Sequence, residues 1–299
     1  MRLIALLNRL NVTYWAMVVV GWVVQRLPPR LSYEIAALIA DVVFAAWPSI
    51  RRRTVANMRW VDPARAEARA AAAFRNYFRY MVEFLRFPGM GRSAIERAVE
   101  VRGVEHLHAA MALGRGAVAV GFHIGNIDLG AAVLAQVGYP VNVVVDTFRP
   151  PRLDALIQGA REAKGLKLIP LDQAPRRALR VLRSKEILAL LMDKPAPGEG
   201  VVVDFLGGPI EIPAGAAFLA LKTGAPIVPC VVVRTGVGRY LAEVAPFVDP
   251  RAVPDADVAA VTQRAIGALE RWVCRWPEQW YPFRTMWLAD VPSPGRALA

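Results

Sequence analysis

Residues 116–137 read Gly-Ala-Val-Ala-Val-Gly-Phe-His-Ile-Gly-Asn-Ile-Asp-Leu-Gly-Ala-Ala-Val-Leu-Ala-Gln-Val. The first six are small and β-branched, which suits a strand buried on both faces, whereas 129–137 carry apolar residues at helical spacing. A strand running at once into a helix is the repeating unit of an α/β layered fold, in which ligands gather outside the carboxyl ends of strands. His123 stands at such an end.

The connection is read residue by residue. On one unbroken helix, five positions would set His123 and Asp128 about 140° apart, so they cooperate only if a turn intervenes. Gly125 permits the backbone excursion and Asn126 is a favoured helix cap. Asp128 then falls in the first helical turn, where unpaired amides stabilise a carboxylate. The expectation is that Asp128 fixes the tautomer of His123 and stabilises its imidazolium, and that His123 serves as general base toward a hydroxyl or water.

Outward from this centre, strand patterns fall at 141–145, 166–170, 186–192, 201–205, 226–234 and 240–247. Helical patterns fall at 104–113, 153–164, 175–182, 214–223 and 255–272. The alternation predicts an α/β fold with a mostly parallel central sheet flanked by helices. Asp146 ends one strand pattern and Asp193 another, so both are expected at the cleft of His123 as substrate-binding residues. Arg149 follows in the loop after Asp146 as a further candidate.

Composition narrows the partner. The 299 residues carry a net charge of +12 and a pI near 10.4, which suits nucleic acid or an anionic membrane surface. Hydrophobic residues make up 55% and the mean hydropathy is +0.32, high for a nucleic-acid binder, and no nucleic-acid reading motif is present. A bilayer is the expected partner. Residues 12–24 (VTYWAMVVVGWVV) form a nearly continuous apolar run with Tyr14, Trp15 and Trp22 as interfacial anchors. This is short of the roughly 20 residues needed to span a membrane unless residues 3–7 extend it. A second apolar segment, 35–47, is followed by Arg51, Arg52 and Arg53. Residues 1–60 are therefore expected to form a membrane-docking region, monotopic or with a single N-terminal anchor, ahead of a catalytic α/β domain at 61–299.

Several chemistries are excluded by what is missing. No serine sits in a G-x-S-x-G elbow, which counts against an α/β-hydrolase, and neither a G-x-G-x-x-G nor a P-loop sequence occurs. No His/Cys/Asp cluster has metal-ligand spacing, so no metal is expected. The two cysteines give no disulfide framework, and Cys230, within an apolar strand pattern, is a poor candidate nucleophile.

The stretch HIGNID, with its His-x4-Asp spacing, resembles the glycerolipid acyltransferase fold, and within it the bacterial lipid A late (lauroyl and myristoyl) acyltransferases and phosphatidylinositol mannoside acyltransferases. The aspartate leans toward the mannoside branch. Further blocks extend the resemblance over nearly the whole chain: RRRTVANM at 51–58, REAKG at 161–165, VDFLG at 203–207, IPAG at 212–215 and TGAPIVP at 223–229. The Glu-Gly-Thr-Arg block of lysophosphatidate-type enzymes is lacking, and DKPAP stands at 193–197 instead.

The resemblance implies an enzyme on the cytoplasmic face of a cell inner membrane. It would move a fatty acyl group from an acyl-CoA or acyl-carrier-protein thioester to a hydroxyl of a membrane glycolipid, with no cofactor beyond that donor. Arg161 resembles an arginine that the family uses near the acceptor pocket. A thioester already has a good leaving group, so such a reaction needs the alcohol deprotonated and no protein nucleophile, a need that a His-Asp pair meets. The alternative reading is a non-catalytic peripheral membrane or lipid-carrier protein on the same fold.

Overall fold

The computed structural model describes residues 11–195 and 200–288. The N-terminal helices are α1 (Val12–Arg26), α2 (Pro29–Ala46), α3 (Pro48–Val61) and α4 (Ala66–Arg86). After them come α5 (Arg92–Ala98), β1 (Val99–Arg102), α6 (Val104–Ala112), β2 (Ala117–Gly121), α7 (Ile127–Gln136), β3 (Val141–Val145), α8 (Pro151–Glu162) and β4 (Leu166–Pro170). The remainder comprises α9 (Ala174–Arg183), β5 (Ile187–Leu191), β6 (Gly200–Phe205), β7 (Gly208–Pro213), α10 (Gly215–Thr223), β8 (Ile227–Gly236), β9 (Arg239–Val244) and α11 (Val258–Arg275).

Seven strands form one sheet in the order β1-β9-β8-β2-β5-β3-β4, parallel throughout except for the antiparallel pairing of β8 with β9. The α/β alternation predicted from the sequence is therefore present. β2 occupies the middle of the sheet and all but its last residue are buried, which is why its side chains are small and branched. One sheet face is covered by α9, α10 and α11, which meet Val118, Val120 and Leu188 in the largest apolar cluster. The opposite face meets α6 and α7 through Leu107, Ala110 and Leu134.

Two strands escape the sequence patterns. β1 buries only Val99 of its four residues, so it shows no alternation. β7 pairs antiparallel with β6 as a separate hairpin outside the main sheet, so the 201–205 pattern belongs to that hairpin.

The N-terminal helices gather on α4, where Val24, Tyr33, Ala36 and Val82 form their own buried cluster. Among the described residues no single helix is long and apolar enough to cross a membrane, and α2 and α3 together are bent by 99°. The predicted extension of the first apolar run through residues 3–7 lies outside the described residues.

Candidate active site

The turn after β2 is built as its residue types require. Gly125 has a φ of +65°, and a Cβ there would lie 1.9 Å from the carbonyl oxygen of Val232, so backbone strain and lack of space both demand glycine. Asn126 caps α7 by accepting a hydrogen bond from the Leu129 N–H at 2.9 Å. Its own amide donates to Glu83 Oε2 at 2.8 Å. Glu83 is buried on α4, accepts from the Tyr33 hydroxyl at 2.8 Å and pairs with Arg234 of β8, whose side chain is largely covered. Arg234 in turn donates to Asn76 Oδ1 at 2.7 Å.

A C-terminal segment laces the same turn from the other side. The Gly125 N–H donates to the Gln279 carbonyl at 2.8 Å, and the Tyr281 N–H donates to the His123 carbonyl at 2.9 Å. Neither α4 nor this segment carries a local motif, so the sequence signalled none of Tyr80, Glu83, Trp280 or Tyr281, and Arg234 is one end of an apolar strand pattern.

The partner of His123 differs from the expectation. Its Nδ1 lies 2.6 Å from Asp193 Oδ1, and its backbone N–H donates to Asp193 Oδ2 at 2.8 Å. The carboxylate on the imidazole is therefore Asp193, where Asp128 was expected, and among the described residues no ion pair joins His123 to Asp128. The cause is strand register. Gly121 of β2 pairs with Leu191 of β5, and the Met192 N–H donates to the Gly121 carbonyl, so two residues further on His123 and Asp193 stand side by side.

Asp128 is held elsewhere. In the first turn of α7, its Oδ2 accepts from the Tyr80 hydroxyl at 2.5 Å and its Oδ1 from Arg161 Nε at 2.7 Å. These two partners, from α4 and α8, hold the carboxylate that an isolated strand-turn-helix would have left to the imidazole. Burial and the Asp128 charge hold the Tyr80 phenol well above its usual pKa, so it stays a donor.

The electrostatics of the His123–Asp193 pair follow from burial and proximity. Burial alone would lower the pKa of His123, but the charge and hydrogen bond of Asp193 outweigh it and leave the imidazole above its ordinary value. Burial would raise that of Asp193, but His123, its backbone N–H and the Trp280 indole hold the carboxyl below the usual carboxylate range. A carboxylate at Nδ1 requires the proton of the neutral ring to sit there, so the lone pair is on Nε2. Asp193 is fully buried, whereas the side chain of His123 is 37% exposed.

His123 lines a cavity of about 1650 Å³. Small-molecule pockets are typically about 300–1,000 Å³, so this one has room for a long chain as well as a headgroup. Tyr80, Asp128, Arg161 and Asp146 also line it, and the rest is mainly apolar, including Leu107, Leu134, Val143, Val20 and Phe218. Asp146 accepts from Lys194 Nζ at 3.2 Å where both are exposed. Arg149 is exposed and lies outside the cavity lining. Cys230 lines the cavity, but burial pushes its thiol up to about 12, too high for thiolate chemistry at neutral pH. Among the described residues no group of three His, Cys, Asp or Glu side chains is placed to hold a metal ion.

A basic imidazole held by a buried carboxylate, facing a large apolar cavity, can activate a hydroxyl beside a long hydrocarbon chain. Comparison with known proteins supplies the family. A family model described as bacterial lipid A biosynthesis acyltransferase matches residues 4–289. The chain is 30% identical over 294 residues to a phosphatidylinositol mannoside acyltransferase of Mycobacterium tuberculosis, covering 95% of this chain and 92% of that protein. It is 29% identical over 286 residues to one of Mycolicibacterium smegmatis, covering 93% and 92%.

Proposed function

The chain belongs to the bacterial lipid A biosynthesis acyltransferase family, and from that premise we propose that it transfers a fatty acyl group from a thioester donor to a hydroxyl of a phosphatidylinositol mannoside-like glycolipid. Acyl transfer itself follows from the family. The acceptor class rests on the mannoside acyltransferases it resembles, and the donor is acyl-CoA or an acylated carrier protein.

The single observation carrying the mechanism is the His123 Nδ1 contact with Asp193, which leaves Nε2 as the basic nitrogen of a ring lining the cavity. Nε2 takes the proton of the acceptor hydroxyl as its oxygen attacks the thioester carbonyl. Collapse of the tetrahedral intermediate breaks the C–S bond, and the leaving thiolate takes the proton back from the imidazolium. Asp193 stabilises that imidazolium and fixes the ring. Asp128 acts from its own place: it holds Arg161 and Tyr80 at the cavity, where Arg161 meets the acceptor and Asp146 also lines the wall. No cofactor or metal takes part in this scheme.

The same reading places the protein on the cytoplasmic face of the cell membrane. α1 and α2 expose Trp15, Val19, Trp22, Leu38, Ile39 and Val42, an apolar surface that would be costly to leave in water. The exposed Arg26, Arg30 and Arg51–Arg53 suit anionic headgroups around it. Because α1 also contributes Met17 and Val20 to the cavity wall, docking through this helix would set the cavity against the lipid that supplies the acceptor.

The test is a transfer assay with purified protein, supplied thioester donor and mannosylated phosphatidylinositol, followed by mass spectrometry. Gain of one acyl chain by the acceptor, lost in His123→Ala, is expected. Full turnover by His123→Ala would overturn the mechanism, and no transfer to any glycolipid would overturn the function.

A further inference from the structure

We propose that Arg284, together with Lys194, forms a phosphate-binding subsite beside His123, an inference that rests on the acyl-transfer reading above. A second recess, of about 270 Å³, is lined by His123, Asp193, Lys194, Tyr281, Phe283 and Arg284 among others. His123 lines both this recess and the large cavity, so the imidazole stands where they meet. Beside its apolar wall of Pro282, Phe283 and Met286, the recess carries the charged side chains of Asp193, Lys194 and Arg284.

Arg284 stands apart from the other half-buried arginines. Among the described residues its Nε is sealed from solvent without a hydrogen-bond partner, and no ion pair reaches its guanidinium. Arg79 and Arg86 also have an unpartnered Nε, but neither lines the cavity or the recess, and Arg86 spends Nη2 on the carbonyls of Val24 and Leu27. The carboxylates whose charge reaches Arg284 are Asp193 and Glu211. Both are engaged: Asp193 by His123 and Trp280, Glu211 by the Gly200 N–H. A guanidinium nitrogen sealed without a partner is costly, and a ligand that engages the same planar group offsets part of that cost.

The backbone that presents Arg284 is firmly fixed. Asn57, buried on α3, donates to the carbonyls of Pro282 at 2.7 Å and Arg284 at 2.6 Å, and accepts from the Met286 N–H at 3.1 Å. This gives Asn57, in the RRRTVANM block, a purpose: it clamps the turn that carries a cation to the rim of the site. Lys194 supplies the second charge from an exposed position, where among the described residues its ion-pair partner is the exposed Asp146.

A planar fork of donors beside a lysine matches the oxygens of a phosphate ester. Both substrates of the proposed reaction can carry one, on the pantetheine arm of a thioester donor or in the phosphodiester of the lipid acceptor. The shared chemistry is a phosphate held within reach of His123, which would anchor one substrate while the cavity takes its chain.

Calorimetric titration tests this without turnover. Coenzyme A is compared with phosphate-free pantetheine, and glycerophosphoinositol with inositol, on the wild type, Arg284→Gln, Arg284→Lys and Lys194→Gln. The expected result is that Arg284→Gln weakens one phosphate-bearing probe by about tenfold or more, with partial recovery in Arg284→Lys and a smaller loss in Lys194→Gln. The phosphate-free counterpart is unaffected. Loss confined to coenzyme A assigns the subsite to the donor, and loss confined to glycerophosphoinositol assigns it to the acceptor.

The proposal is overturned if the wild type shows no phosphate-dependent binding of either probe, or if Arg284→Gln weakens the phosphate-bearing and phosphate-free probes equally. Should Arg284→Gln fail to fold, unchanged binding by Lys194→Gln and Arg284→Lys overturns it. Since the readout is binding, an absence of acyl transfer would sink the functional reading and leave this one standing.

Discussion

His123 and Asp193 each follow the last paired residue of adjacent parallel strands by two positions and are joined twice, through the ring and through the backbone N–H. The backbone contact places the acid on the same residue whose ring it orients, so the pair is set by sheet register rather than by rotamer choice.

His123→Ala should cost about 10²–10⁴-fold in turnover, the usual contribution of a positioned general base. Asp193 raises the pKa of His123, so the basic form accumulates only above that raised value, and activity should rise with pH through it. In Asp193→Asn the charge is gone, so turnover should fall and the acid limb should move to lower pH. A pH–rate profile checks both, and an unmoved limb would refute the pairing. The sign for stability is separate: the raised imidazole contributes stability below its unfolded pKa that is lost as pH climbs through the folded value. The depressed Asp193 contributes stability that is lost as pH falls through its own folded value.

Arg161 and Asp128 form a pair of which 14% and 3% of the side chains are exposed. Arg161→Ala should strand the carboxylate and cost about 3–5 kcal/mol in denaturant unfolding. The double variant Arg161→Ala with Asp128→Ala should lose clearly less than the sum of the singles, because neither charge is then left alone. Strict additivity would mean that the two do not interact.

Gly125→Ala should be among the most damaging single-methyl changes in the chain. The new Cβ meets the Val232 carbonyl and the backbone sits at positive φ, so a loss of at least about 2 kcal/mol is expected. Thermal melting of Gly125→Ala beside Gly159→Ala, where a Cβ meets nothing within 4 Å, provides the comparison.

Trp22→Glu, Leu38→Glu and Val42→Glu alter residues that are 55%, 67% and 67% exposed, so the fold should tolerate them. Binding to anionic vesicles, measured by co-sedimentation, should drop sharply and more so when they are combined. Undiminished binding by the triple variant would remove the proposed docking face.

Much of this architecture was readable along the chain. The small branched residues of 117–121, Gly125 and the Asn126 cap announced a strand, a turn and a helix because each acts over a few neighbours. What lay beyond reach was register. The sequence placed Asp193 at a strand end and Asp128 near His123 in number, but which carboxylate meets the ring depends on β5 lying beside β2. Likewise, Tyr80 and Glu83 lie on a helix more than 35 residues earlier, and only tertiary packing brings them to the turn. β1 stayed hidden because three of its four residues are exposed and carry no alternation.

The lacing of the His123 turn by Gln279 and Tyr281 has a temporal consequence during synthesis. Every strand of the sheet leaves the ribosome before residues 277–287 do, so a nascent chain can assemble its scaffold while the loop bearing the base still lacks its final ties. Competence for chemistry is thereby deferred until translation has passed the ninth strand and the helix behind it, and a polypeptide cut short before residue 279 would hold the right residues in an unfinished frame.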